Sequence, residues 1–214
     1  MGVSAAALML VVAALGAGPI PHALRTAESA AEDTIDYALA GNRGKAVKTA
    51  NTLKVTAHGP AAVALRSAGA SDARIAAFQA RADRVAELAP RAELLAVALA
   101  ANRAFGLIPG FFALYDSPVP AAVTSLDHFD FEAKLQAKAG DRGALRSAAS
   151  RLRQTWTGLR ADVVRHGGAR VAARFDAHVA RLRRLADRGA RAAAAREAQH
   201  GLDLVDELEA TYQR

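Results

Sequence analysis

Glu197-Ala-Gln-His200-Gly-Leu-Asp203 sets a carboxylate, an imidazole and a second carboxylate three residues apart. Residues at that spacing share one face of a helix, so Glu197, His200 and Asp203 could together ligate a divalent or ferric metal ion. A ferritin-like di-iron centre needs the Glu-x-x-His pair twice, with carboxylates from two further helices. The chain carries it once. On the helical wheel, Leu202, Leu204, Val205, Leu208 and Tyr212 define the apolar side, with Asp203 and Glu207 opposite and His200 at the boundary.

A second group of acids lies in Leu126-Asp-His-Phe-Asp-Phe-Glu132. Asp130 projects near the apolar face of Leu126, Phe129 and Ala133, whereas His128 and Glu132 point away from it. A local pair between Asp130 and Lys134 accounts for the acid without a ligand. His178 sits beside Val179 at the edge of an apolar stripe, where a hydrogen-bonded structural histidine is expected. His58 and His166 fall next to helix breaks.

The third group is cationic. Residues 142–191 hold thirteen Arg against Asp162, Asp176 and Asp187, a net charge of +10, and residues 192–213 carry a net charge of −4. Arg170, Arg174, Arg181, Arg184, Arg188 and Arg191 fall within about 60° of one line on a helix, opposite Val171, Phe175, Val179 and Leu182. The first five define an expected anion-binding face for acidic lipid, a cell-wall polymer or a phosphorylated ligand. The plain alternative is a solvated face, partly neutralised by Asp203, Asp206, Glu207 and Glu209 on the next helix. Nucleic acid is not expected, since no aromatic side chains interleave with the stripe to stack bases.

Catalytic signatures are missing. There is no Cys, no Gly-x-Ser-x-Gly elbow, no phosphate-cradling glycine loop and no His-Glu-x-x-His, so no enzyme is expected. Without Cys, thiolate metal sites and disulfides are excluded, and beyond Met9 there is no thioether ligand either.

The runs LRQTWTGLR (152–160), GGARVAARFDAHVARL (167–182) and LDLVDELE (202–209) resemble stretches of exported bacterial helical-bundle proteins. The resemblance covers the second half of the chain and implies no particular activity. More loosely, the chain is similar to imelysin-like periplasmic iron proteins, which are built from two helical bundles. At the place of their His-x-x-Glu signature, the nearest variant here is His200-Gly-Leu-Asp203.

These side chains need helices to position them. The chain has 214 residues, 52% hydrophobic and 5% aromatic, a composition of helix formers that predicts an all-α protein. Only five of the 28 basic residues are Lys, so the sequence pI near 10.3 reflects Arg usage and is not by itself a nucleic-acid signal. Ala40-Gly41-Asn42-Arg43-Gly44 recurs as Ala139-Gly140-Asp141-Arg142-Gly143, and with a two-residue gap Phe78 falls on Phe175 and Tyr115 on Tyr212. The expected architecture is therefore a tandem repeat of two four-helix up-down units, 23–115 and 121–214, joined by a Pro-rich linker at 116–120.

Helices are expected near 23–40, 43–68, 71–89, 91–115, 121–139, 142–166, 169–187 and 189–213. Leu145, Ala149, Leu152, Trp156, Leu159 and Val163 mark a bundle seam, matched in the first unit by Ala46, Ala50, Leu53, Ala57, Pro60 and Ala64. With those smaller side chains, the first unit should pack closely or bend at His58-Gly59-Pro60. Pro109-Gly110 should kink or end the fourth helix. The aromatic cluster from Phe105 to Tyr115 is expected to plug the junction between units, or else to form an exposed apolar patch for a partner.

The first twenty residues carry no charge and run into Gly, Pro and small residues. Residues 1–22 read as a signal peptide cut between Ala14 and Ala23, or else as a membrane anchor. The overall expectation is an exported, periplasmic or extracellular, non-enzymatic bundle that binds a protein partner or an anionic surface. The alternative is a periplasmic protein handling iron or copper.

Overall fold

The computed structural model describes residues 17–213, so most of the expected leader lies outside the described residues. The described chain is helical, in ten segments: α1 (His22–Leu39), α2 (Arg43–His58), α3 (Pro60–Ser67), α4 (Asp72–Leu88), α5 (Leu94–Phe105), α6 (Ile108–Phe112), α7 (Ala121–Ala139), α8 (Arg142–Arg165), α9 (Ala169–Arg188) and α10 (Arg191–Tyr212). Helices α1, α2, α4 and α5 pack in one ring and α7, α8, α9 and α10 in another.

Matching chemistry opens the second helix of each ring. Asn42 Oδ1 accepts from Lys45 N at 3.1 Å and Asp141 Oδ1 from Ala144 N at 2.9 Å, so each side chain satisfies an amide left unpaired at a helix start. The preceding glycines, Gly41 at φ 78° and Gly140 at φ 80°, take a left-handed conformation that a Cβ would strain.

The seam Leu145, Ala149, Leu152, Trp156, Leu159 and Val163 is buried throughout. In the first half, the single helix expected over 43–68 is two. Gly59 (φ −103°, ψ −110°) leaves the helical region, and Pro60 restarts the helix in its first turn, where a missing N–H costs nothing. The break turns the seam. Pro60 is exposed and Ala64 half-buried, whereas Ala61, Ala62 and Leu65 face the core.

The fourth helix also breaks earlier than Pro109-Gly110 suggests. Helix α5 ends at Phe105, and Pro109 sits in the first turn of α6. By length and composition, Leu94–Phe112 could cross a membrane, but more than half of its most apolar stretch is packed inside the protein.

Buried side chains form two clusters. One collects α1 to α6, and into it α7 sends Phe131 and Leu135 and α10 sends Leu202; the other lies within α7 to α10. The exposed-patch reading of the aromatic cluster is overturned, because Phe105, Ile108, Phe111, Phe112 and Tyr115 are all buried. Phe105 meets Phe131 edge to face at 6.1 Å and so joins the two halves. Ahead of α1, residues 17–20 lie against the linker, with Asp116 N donating to Gly18 O at 2.8 Å and Ile20 packing on the first core.

Candidate functional site

Three helices converge on His178. From α9 its Nε2 lies 3.0 Å from Asp130 Oδ1 on α7, and its Nδ1 lies 3.2 Å from Glu197 Oε1 on α10. With a carboxylate at each ring nitrogen, only the doubly protonated imidazolium donates to both. Burial works against that charge, but Asp130 and Glu197 outweigh it and hold the imidazole above its ordinary pKa. Burial in turn raises the Asp130 carboxyl, an effect moderated by His178. Arg181 approaches the other oxygen of Glu197 at 3.5 Å. The cluster exists because Gly201 has no side chain: a Cβ there would stand 2.3 Å from Asp130 Oδ2 and 2.5 Å from His178 Nε2. Both ring nitrogens are occupied, so this is a charged staple between helices.

That geometry corrects the expected partner of Asp130. Asp130 is served by His178 rather than by Lys134, whose ammonium donates to Gln199 Oε1 at 2.6 Å and lies over the Phe131 ring. The proposed metal ligands do not converge. Glu197 is committed to His178, whereas His200 and Asp203 are exposed, Asp203 accepting from Gln199. Among the described residues no group of three His, Asp or Glu side chains is placed to hold a metal ion. His58 and His166 do lie at helix ends, on Asp83 and Asp162.

The arginine stripe divides. Arg174 donates to both oxygens of Glu207 at 2.8 and 2.6 Å, and Arg181 reaches Glu197, so two of the five expected anion-binding residues are tied to α10. Arg170, Arg184 and Arg188 have no carboxylate within 4.0 Å among the described residues. Round α9 from that stripe, on the side that meets α8, α8 supplies Arg146 and Arg153. With Arg183 of α9 these line a pocket of about 210 Å³ containing Ser150 and a single acid, Asp187. Asp187 is 3.9 Å from Arg183 and both are exposed, a weak neutralisation.

Acids gather on the opposite side of α10. A cavity of about 300 Å³ lies between α1, α7, α10 and the linker, lined by Glu28, Glu32, Asp127, Asp206 and Glu209, with Arg25 beside them. Burial, then Glu32 and Glu209, raise Glu28 to about 8. Burial raises Glu32 to about 7, against a hydrogen bond with Asp127, and it also holds Asp127, Asp206 and Glu209 above the usual carboxylate range. Protons shared among these groups allow the two halves to meet here without full charge repulsion.

The class these helices define is an all-α bundle, and no protein family, curated protein or solved structure matches this chain.

Sequence reasoning singled out His178 as structural but not its partners. The available signal was Gly201, a glycine inside an otherwise strong helix sequence, which marks a close approach. The meeting of Arg146 and Arg153 with Arg183 is not legible in the sequence, because Arg183 lies off the arginine line of α9 and the other two share a line on α8, so only the packing of α8 on α9 joins them.

Proposed function

We propose that this chain is an exported, non-enzymatic helical protein that binds an anionic surface, taken here as acidic phospholipid, through the arginine-rich face of α8 and α9. One observation carries the reading: Arg146, Arg153 and Arg183 converge from two helices on one pocket, with Asp187 their only acid there. Arg170, Arg184 and Arg188, further round α9, add positive charge with no carboxylate within 4.0 Å among the described residues. A guanidinium forks onto phosphate oxygens, and several together raise the local concentration of an anionic partner.

Export rests on the uncharged run at the start of the sequence. Duplication of one four-helix unit is part of the same reading, supported by the paired Asn42 and Asp141 caps. The metal-handling alternative has no comparable support, since Glu197 is occupied by His178.

Co-sedimentation with vesicles tests the proposal. Phosphatidylglycerol mixed with phosphatidylcholine should retain the protein, phosphatidylcholine alone should not, and added salt should release it. Arg146→Glu with Arg153→Glu should abolish retention, and Arg174→Glu, at a position already paired, should change it less. Equal retention of wild type and the double variant would overturn the reading.

A further inference from the structure

On the other side of α8, a different concavity lies between the two halves. Its volume of about 410 Å³ falls within the range of small-molecule pockets, and Arg81, Arg103 and Arg151 line it together with His128 and Glu132. All three arginines are exposed. Arg81 donates to the Arg103 carbonyl, which fixes its guanidinium over the end of α5. Arg103 and Arg151 side chains have no hydrogen-bond or ion-pair partner among the described residues.

Glu132 makes no ion pair with any of them within 4.0 Å, and its two oxygens accept from amides. Oε1 accepts from Gln136 at 2.7 Å and Oε2 from Asn102 at 2.7 Å. With its NH₂ on Glu132, Asn102 turns Oδ1 to His128 Nδ1, 3.1 Å away. An oxygen acceptor there requires the proton on Nδ1, which leaves Nε2 as a bare acceptor. Nε2 has no partner among the described residues, and the ring rests on Gly106, where a Cβ would come within 2.6 Å of it. Burial, with Arg151 and Arg81, lowers His128 to about 4 against the opposing pull of Glu132, so the acceptor persists at neutral pH. The cavity thus offers cations for an anion and, next to them, an acceptor to which a hydroxyl can donate.

Arg81 and Arg103 also border a second concavity, a groove of about 430 Å³ between α4 and α5. Its floor is Leu88, Leu99, Ala96 and neighbouring alanines. A polar pocket and an apolar groove sharing two arginines match a molecule with a charged head and a hydrocarbon tail.

We infer that these two adjoining concavities together bind a single-chain phosphate monoester, its tail along the α4–α5 groove, its anionic oxygens on Arg81, Arg103 and Arg151, and its P–OH donating to His128 Nε2. This site is separate from the α8–α9 face and stands or falls independently of it.

Calorimetric titration of the whole protein with decyl phosphate, below its micelle concentration and near pH 6.5, tests the inference. Saturable binding at one site is expected. Decyl sulfate, which has charge and tail but no hydroxyl, should bind at least about tenfold weaker, as should inorganic phosphate, which has no tail. Arg103→Glu, Arg151→Glu and Ala96→Glu all alter exposed positions, and each should weaken binding by about tenfold or more with the thermal transition unchanged. Absence of saturable binding, equal affinity for the sulfate and the phosphate, or indifference to both arginine reversals would overturn it.

Discussion

His178 Nε2 stands 3.0 Å from Asp130 Oδ1 across 48 residues of chain, with both side chains fully excluded from solvent. A buried pair of this kind is costly to break from one side, because the remaining charge has no water to turn to. Asp130→Ala and His178→Ala should each cost about 3 kcal/mol in urea unfolding. The double variant should cost clearly less than the sum, since each single change already removes the interaction they share.

Gly201→Ala is the smallest test of the same cluster. Alanine is the better helix former by about 1 kcal/mol, so an open position would gain stability. Here the methyl would displace Asp130 and His178, and a net loss of about 2 kcal/mol or more is expected in thermal or urea unfolding.

The acidic cavity gives stability a direction with pH. Glu28 at about 8 and Glu32 at about 7 bind protons more tightly in the folded protein than at their ordinary 4.5. Their contribution is fully present below that ordinary value and is lost as pH rises through about 7 to 8. His178, also raised, loses its contribution in the same direction above the ordinary histidine range. The melting temperature should therefore fall from about pH 6 to about pH 9, and Glu28→Gln should flatten that slope, gaining about 2 kcal/mol at the alkaline end.

Trp156, the only tryptophan, donates its indole N–H to Asp176 Oδ1 at 2.7 Å and packs on Phe175 at 4.6 Å. Arg160 holds both oxygens of that carboxylate, at 2.9 and 2.8 Å. Asp176→Ala should leave the indole donor without its partner, shift the fluorescence emission and cost about 1 to 2 kcal/mol. The same emission reports unfolding of the α7–α10 ring.

Periodicity made the helices and their inner faces legible, because the side chains that decide a face lie on that helix. Leu145 through Val163 and Ile75, Phe78, Ala82 and Val85 face inward as their spacing requires. Glu207 closing on Arg174 was also foreseeable, since neighbouring antiparallel helices carried opposite charge. The partners of Asp130 were not. Lys134 lay one turn away in sequence, and His178 became its neighbour only through the packing of α9 on α10 and α10 on α7. Asn102 setting the tautomer of His128 escaped for the same reason, as a contact between the two halves. Gly59 was legible as a break but not as a rotation of the seam, which depends on the angle at which the chain leaves it.

Helix α7 opens beyond the linker yet belongs to both cores, through Phe131 and Leu135 on one side and Val123, Leu126 and Ala133 on the other. A chain cut within 116–120 would therefore yield two fragments with matching sticky surfaces, Phe105 on one and Phe131 on the other. Expressed apart, each should aggregate or self-associate; expressed together, they should reassemble without a covalent link and elute as one species. The linker then works as a tether that keeps the concentration of one half high at the other, rather than as a boundary between independent domains.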